Sequence, residues 1–345
     1  MADSRAVTRP PLKDVAALAG VSEPTVSRVL NGRVGVAETT RARVIAALSQ
    51  LGFTRVPEPR PERRNTIGVV SGEFLNPVFA TFTHHISAEL GRRGFLTTVA
   101  VTDRELITEE RCVSELVDAS VDGIVFIAGH HAETDGRIDH YRELAERGTP
   151  VVLVNGRATE LPVPHIRCDE EAGARKAVTH LLRLGHRNIG CLLGSPRYIP
   201  TLRFIQGYRQ TLAAHGIAES EGAIVDAPFT LEGGRAGATR LLERGITAMI
   251  CGNDLMALGA VLAASSTLGS ATDVSVGGYV GTEFTTHTQP PLTTLRQPFE
   301  DMSRLVSDAM ISEIDGTRRF RDHFVFEPQL LSRESTHPPR AVTTA

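Results

Sequence analysis

Residues 12–32 read LKDVAALAGVSEPTVSRVLNG and carry the groups best suited to reading another polymer. Ser22, Thr25, Ser27, Arg28 and Asn31 place hydroxyl, guanidinium and amide groups on one short stretch. Such groups recognise phosphate oxygens and base edges. Arg28 can fork onto a guanine edge or hold a phosphate; a salt bridge within the same small domain is the competing use. Thr25 and Ser27 suit phosphates. Glu23 can accept from a cytosine amino group but repels phosphate, and Pro24 offers no donor. Leu12 could pack on a sugar-phosphate or a base edge.

Enzyme chemistry finds no comparable foothold. No G-x-G-x-x-G opens a helix after a strand, and there is no P-loop, nucleophile elbow or clustered His/Asp/Glu set. His84–His85 and His130–His131 are adjacent pairs, and neighbours on a helix or strand point apart, so they are poor chelators. Cys112, Cys168, Cys191 and Cys251 are scattered without metal spacing and read as reduced, packed thiols of a cytosolic protein. No enzymatic activity, cofactor or metal is expected.

The polymer-reading groups need two short helices and a turn. Leu12, Val15, Ala16 and Ala19 recur at helical spacing and form one apolar face. Gly20 ends that helix where a left-handed residue is wanted. Ser22 can cap a second helix, and Pro24 sits in its first turn. Val26, Val29 and Leu30 form its buried stripe, leaving the polar groups on the other side. A polar helix set by a glycine turn is a helix-turn-helix, whose second helix enters the major groove.

The run closely resembles the headpiece of the lac/gal repressor (LacI/GalR) family of bacterial transcription regulators. The matching residues are Asp14, Val15, Ala16, Ala19, Gly20, Val21, Ser22, Thr25, Val26, Ser27, Arg28, Val29, Leu30 and Asn31. The resemblance continues through ETTRARVIAALSQLGF (38–53), which looks like the third headpiece helix, and on to about Glu334. It implies a transcriptional regulator, most often a repressor. Such a protein binds a double-stranded operator as a homodimer and responds to a small-molecule effector.

Beyond residue 65 short apolar runs alternate with helical patterns. The runs are 66–71, 95–102, 122–129, 150–155, 188–194, 248–254 and 274–279. They read as strands of parallel sheets buried on both faces, within an α/β class of βαβ units. The resemblance implies a small all-α headpiece followed by a type I periplasmic-binding-protein-like core of two Rossmann-like subdomains. The expected division is a headpiece over 1–55, a linker over 56–65 and a core over 66–340. Within the core, the N-subdomain takes about 66–158 and 292–321, and the C-subdomain about 159–291 and 322–340. The chain crossings then fall near 156–164, 282–296 and 320–326.

Ligands of open α/β sheets sit beyond the carboxyl ends of the strands. Asn155, Asn253, Asp254 and Gln297 stand at such ends, with Asp254 better suited to capping the next helix. The resemblance adds Phe79, Phe229 and Phe299 as aromatic pocket residues, with core packing as their alternative use. Sugar-binding members place an Asp where this chain has Val280, and an Arg where it has Phe204. Arg203 stands one residue, or roughly 100° of helix, away. A third position, an acidic anchor in some members, is Asn155 here. The pocket is therefore expected to be less anionic than a sugar site. Its effector is expected to be a sugar derivative or other metabolite, not a typical free hexose.

The linker departs from the family pattern as well. Pro57, Pro59 and Pro61 make an α-helix improbable in residues 53–68, and no leucine is placed to wedge between base steps. Arg55, Arg60, Arg63 and Arg64 can contact phosphates or simply belong to a solvated tether. Residues 1–64 hold 11 Lys and Arg against 6 Asp and Glu, although the whole chain carries −3. A basic head on an acidic body suits binding of a polyanion by the head alone. No segment has membrane-spanning length and no signal-type run opens the sequence, so a cytoplasmic protein is expected. A solute-binding module of periplasmic-receptor type, or a regulator without an effector, is the competing reading.

Overall fold

Two units separate at Arg64, Met1–Arg64 and Asn65–Ala345. The computed structural model describes residues 11–30, 36–51, 64–103, 106–156, 161–218, 223–270, 273–317 and 323–339. Residues 52–63 lie outside them, including 56–63 of the linker, and with them the expectation of a non-helical tether.

Among its described residues the first unit has three helices, α1 (Leu12–Ala19), α2 (Glu23–Leu30) and α3 (Glu38–Gln50). Val15, Ala16 and Ala19 of α1 meet Val26 and Val29 of α2 and Val44, Ala47 and Leu48 of α3. Gly20 ends α1 at φ 62°, the left-handed conformation that favours glycine. The structure thus forms the two helices and glycine turn expected from the sequence.

The second unit begins with β1 (Thr66–Ser71), α4 (Pro77–Arg92), β2 (Leu96–Val101), α5 (Glu109–Asp118), β3 (Gly123–Phe126), α6 (Asp139–Glu146), β4 (Val151–Val154) and β5 (His165–Cys168). These strands form a parallel sheet in the order β5-β4-β3-β1-β2. The chain then crosses to a second layer through α7 (Glu170–Arg183), where Asp169 accepts the Ala172 N–H at 3.0 Å as helix cap. β6 (Ile189–Leu193), α8 (Ile199–Ala214), β7 (Ile224–Asp226), α9 (Leu231–Leu242), β8 (Ala248–Cys251), α10 (Asp254–Leu268), β9 (Ser275–Val280) and β10 (Thr293–Arg296) follow. Helix α11 (Phe299–Asp315) returns to pack on the first half, and β11 (His323–Phe326) joins the first sheet beside β5. Finally β12 (Gln329–Leu331) closes the second sheet, ordered β12-β10-β9-β8-β6-β7, antiparallel to β10. The result is two Rossmann-like halves joined by three crossings.

Those crossings lie later than the sequence suggested. β5 belongs to the first sheet although residues from 159 were expected in the C-subdomain. β10 pairs with β9 in the second sheet although residues from 292 were expected in the N-subdomain. β11 pairs with β5 in the first sheet, against an expected change of subdomain at 322. The crossings therefore fall at Asp169, at Gln297–Pro298 and at Glu327–Pro328. The physical reason for the first is that His165 and Arg167 interrupt the apolar pattern of β5. A second correction concerns β2. It is an edge strand with Leu96 and Val99 exposed, not a strand buried on both faces.

Candidate DNA-reading head and effector cleft

In the head, the turn between α1 and α2 is held from outside. Arg43 of α3 donates from Nε and Nη2 to the Ala19 carbonyl at 3.0 and 2.6 Å, and from Nη2 to the Gly20 carbonyl at 2.8 Å. A cation thus satisfies the orphan carbonyls at the end of α1. Sequence reasoning passed over Arg43, because nothing local marks a side chain that acts on a turn 24 residues away. Ser22 precedes α2, and its hydroxyl lies 2.9 Å from that of Thr25. Ser22, Glu23 and Pro24 are exposed, and Thr25 and Ser27 are half-buried. Leu12 packs partly against the head's own core. The backbone of Arg28 lies in α2; its side chain, the side chain of Leu30, and Asn31 fall outside the described residues.

In the core, the carboxyl ends of the two sheets carry the predicted cleft residues. Phe79, in the first turn of α4, lays its ring over Gly72 just beyond β1. Phe229 does the same in the second half. Its ring covers Gly194 and Gly252, beyond β6 and β8, and a Cβ on Gly194 would strike it. Tyr198 stands beside it, ring centroids 6.5 Å apart. Gln297 is 3% exposed, and its Oε1 is buried without a hydrogen-bond partner. A buried orphan acceptor costs about 1–3 kcal/mol unless a donor reaches it.

Other predicted residues have structural work. Asn253 caps α10, accepting the Met256 N–H at 2.8 Å, and donates to Asn76 Oδ1 and to the Phe229 carbonyl, both at 3.1 Å. Asn155 adopts φ 63°, and its Oδ1 accepts the Cys168 N–H at 3.2 Å, so it ties β4 to β5. Phe204 is core, edge-on to Tyr279 at 5.7 Å. Phe299 is core as well, edge-on to Phe82 at 4.6 Å and stacked on His85 at 5.9 Å. Val280 is buried at φ 119°, a strained backbone for a β-branched residue. Asp254 is structural by a route other than helix capping. It accepts from Thr282 N and Oγ1 at 2.7 and 2.6 Å, from Gly281 N at 3.0 Å and from Thr294 Oγ1 at 2.6 Å. Burial pushes its carboxyl above the usual range against the pull of those bonds.

Among the described residues, polar contacts between the two halves include three groups. Asn76 to Asn253 is one. The second is a strap in which the Thr134 N–H donates to the Arg197 carbonyl at 2.8 Å, Glu133 and Tyr198 form an isolated β-bridge, and Arg197 Nη2 meets Glu133 Oε2 at 3.0 Å. The strap's loop is anchored by buried Glu109, which accepts from the His130 N–H and from His140 Nε2, both at 2.7 Å. Burial works to raise the Glu109 pKa, but hydrogen bonds from His140 and Tyr141 outweigh it and hold the carboxyl below its usual range. The third contact is at the first crossing. Arg203 Nη1 donates to the Gly156 carbonyl at 3.0 Å and lies 3.7 Å from Glu170, which also meets Arg167 at 3.3 Å. Burial pushes Glu170 up to about 7 against the opposing charge of Arg203. Arg203 thus faces the crossing. Sequence reasoning missed Asn76, Glu133, Arg197 and Glu170. Only Asn76, just before Pro77 at a strand-to-helix turn, carried a local signal.

His131 is fully buried, with Nε2 2.9 Å from the Val154 carbonyl and Nδ1 3.2 Å from the Tyr141 hydroxyl. It is a structural histidine. Among the described residues no group of His, Cys, Asp and Glu could hold a metal ion.

Residues 11–55 match the model of bacterial regulatory proteins of the lacI family, and residues 178–336 match a periplasmic binding protein-like domain. The HTH-type transcriptional regulator reg1 of Streptomyces lividans is 41% identical over 331 residues, covering 94% of this chain and 96% of its own. The chain belongs to the LacI family. This LacI-family protein is accordingly a DNA-binding transcriptional regulator and not an enzyme. A solved transcriptional regulator CelR–cellobiose complex is 32% identical, with a TM-score of 0.70 over 95% of this chain and 100% of that one. The lac repressor dimer bound to operator and the anti-inducer ONPF is 26% identical, with a TM-score of 0.69 over 96% and 100%. No helix among the described residues is long and apolar enough to cross a membrane.

Proposed function

We propose that this LacI-family regulator is a repressor that binds its operator as a homodimer and is controlled by a small polar effector in the cleft between the two halves. The carrying observation is Gln297. Its amide oxygen is buried and without a partner where the second sheet hands the chain back to the first. An effector donor there relieves a cost the empty protein bears. Phe79 and Phe229, over the strand ends of opposite halves, supply apolar faces. Val280 supplies no acceptor, and Asn155 has its oxygen engaged, which disfavours a free hexose. CelR was solved with cellobiose, which favours a disaccharide or another sugar derivative as the class.

In the head, Arg28 and Asn31 are assigned to base edges or phosphates, with Ser22, Glu23, Pro24, Thr25, Ser27 and Leu12 around them. Exposed Leu96 and Val99 on edge strand β2 and exposed Leu262 on α10 support the homodimer. The protein acts in the cytoplasm, where operator DNA is. The test is thermal unfolding of the full chain with a panel of mono- and disaccharides. One or more disaccharides raises the melting temperature in wild type and not in Gln297→Ala. A shift of equal size with free glucose or galactose alone rejects the effector class.

A further inference from the structure

Away from the cleft, the solvent face of α7 carries a row of cations. Arg175, Lys176, Thr179, His180 and Arg183 join Leu330 of β12 in lining a groove of about 280 Å³. Arg175, Thr179 and Arg183 are spaced four residues apart, so they stand above one another along the helix. Lys176 is already engaged, donating to the Pro328 carbonyl at 2.9 Å and pairing with Glu327 at 2.7 Å. His180 lies 2.9 Å from the Thr336 hydroxyl. Burial first, and then the charge of Arg183, hold its imidazole below the ordinary histidine range. Among the described residues no acidic side chain pairs with Arg175 or Arg183.

This is unusual ground for unopposed charge. Residues 65–345 hold 26 Lys and Arg against 34 Asp and Glu, so the body repels anions in general. The groove gathers the opposite sign along one helix face, with Thr179 one turn from each of Arg175 and Arg183 and an apolar wall at Leu330. Guanidinium forks match phosphate oxygens in charge and geometry, and a hydroxyl adds a donor. None of the lining residues belongs to the cleft. Helix α7 also begins at the first crossing, where Glu170 meets Arg167 and Arg203, so an occupant of the groove would rest on an element that joins the two halves.

We propose that the α7 groove is a second ligand site, for a small phosphate ester held between Arg175 and Arg183 with Thr179 donating. The test is calorimetric titration of the full-length protein with glycerol 3-phosphate and, separately, inorganic phosphate, at about 0.15 M salt so that diffuse charge effects are screened. Wild type binds the ester saturably. Arg175→Gln/Arg183→Gln weakens binding by about tenfold or more, with an unchanged circular dichroism spectrum because both side chains are exposed. Thr179→Ala weakens it less, and Arg28→Ala, in the basic head, leaves it unchanged. Equal affinity in the double variant overturns the proposal. So does binding of inorganic phosphate without the ester, or equal binding of sodium sulfate, which would mark a general anion effect.

Discussion

The head and the cleft treat polar side chains in opposite ways. In the head, Ser22, Glu23 and Pro24 stand in solvent at the start of α2, while Val15, Val26, Val29 and Leu48 do the packing. In the cleft, the amide and carboxylate groups at strand ends are turned inward. Asn253 bonds Met256, Phe229 and Asn76; Asn155 bonds Cys168; Asp254 bonds three other residues. A helix that reads DNA needs only one face for stability and leaves the other free. A parallel sheet ends in orphan N–H groups and tight turns, and the same Asn and Asp that could touch a ligand are drawn into satisfying them. Gln297 escapes, with its oxygen buried and unmatched.

Asp254→Ala tests the cleft half of this contrast hardest. It strands donors from Gly281, Thr282 and Thr294, so a loss of about 2–4 kcal/mol is expected in urea unfolding of the core transition. A loss under 1 kcal/mol would mean that those strand-end bonds are replaceable by water. Acid is the second probe. His165 is buried, and burial first, with the neighbouring charges of His131, His323, Arg203 and Arg167, lowers its pKa to about 3. Unfolding restores an ordinary histidine that binds a proton more readily. Its contribution is therefore intact above about pH 6.5 and lost at up to ~1.4 kcal/mol per pH unit as pH falls toward 3. Glu170, with its raised pKa, acts in the other direction, losing stability as pH rises from its ordinary range to about 7. Comparing wild type with His165→Gln between pH 5 and 6.5 isolates the histidine slope, and parallel curves would refute it.

The head gives the next effects. Arg28→Ala is expected to weaken operator binding by about 1–3 kcal/mol if the guanidinium reads a base; if it holds only a phosphate, affinity falls evenly across sequences with a smaller salt slope. Gel shifts on specific and scrambled duplexes at two salt concentrations separate these outcomes. Gly20→Ala places a Cβ at φ 62° and against Arg43, and should cost about 1–2 kcal/mol of head stability alone. The smallest effect is the most diagnostic. Gln297→Ala removes an acceptor that bonds nothing, so the ligand-free core should lose less than about 1 kcal/mol, most of it from packing. A larger loss would show that the oxygen has a partner in the empty protein.

Legibility followed the same division. The helix-turn-helix could be read because every requirement was local: apolar spacing, Gly20 at the turn, Pro24 in a first turn. The apolar runs of β1, β3, β4, β6, β8 and β9 were equally plain, since a strand covered on both faces has little room for charge. β5, with the sequence HIRC, was not, because Arg167 adds a charge to the run and His165 faces neighbours that come from distant parts of the chain. β10, which reads TTLR, was hidden by its polar residues, β12 by shortness, and β11 by its place at a sheet edge. The strand-end residues were found, but not their use. Whether Asn253 meets a ligand or Asn76 depends on a residue 177 positions away.

The bond between Asn76 and Asn253 joins two uncharged amides, buried from solvent. Neither group titrates between pH 4 and 10, and dissolved ions have no net charge there to screen. Added salt therefore weakens the Arg197–Glu133 end of the junction while leaving the amide end untouched. Ionic strength thus acts on the charged members of the junction, Arg197–Glu133 and Arg203–Glu170, and passes over the amide pair, so the contacts between the halves differ in their dependence on salt.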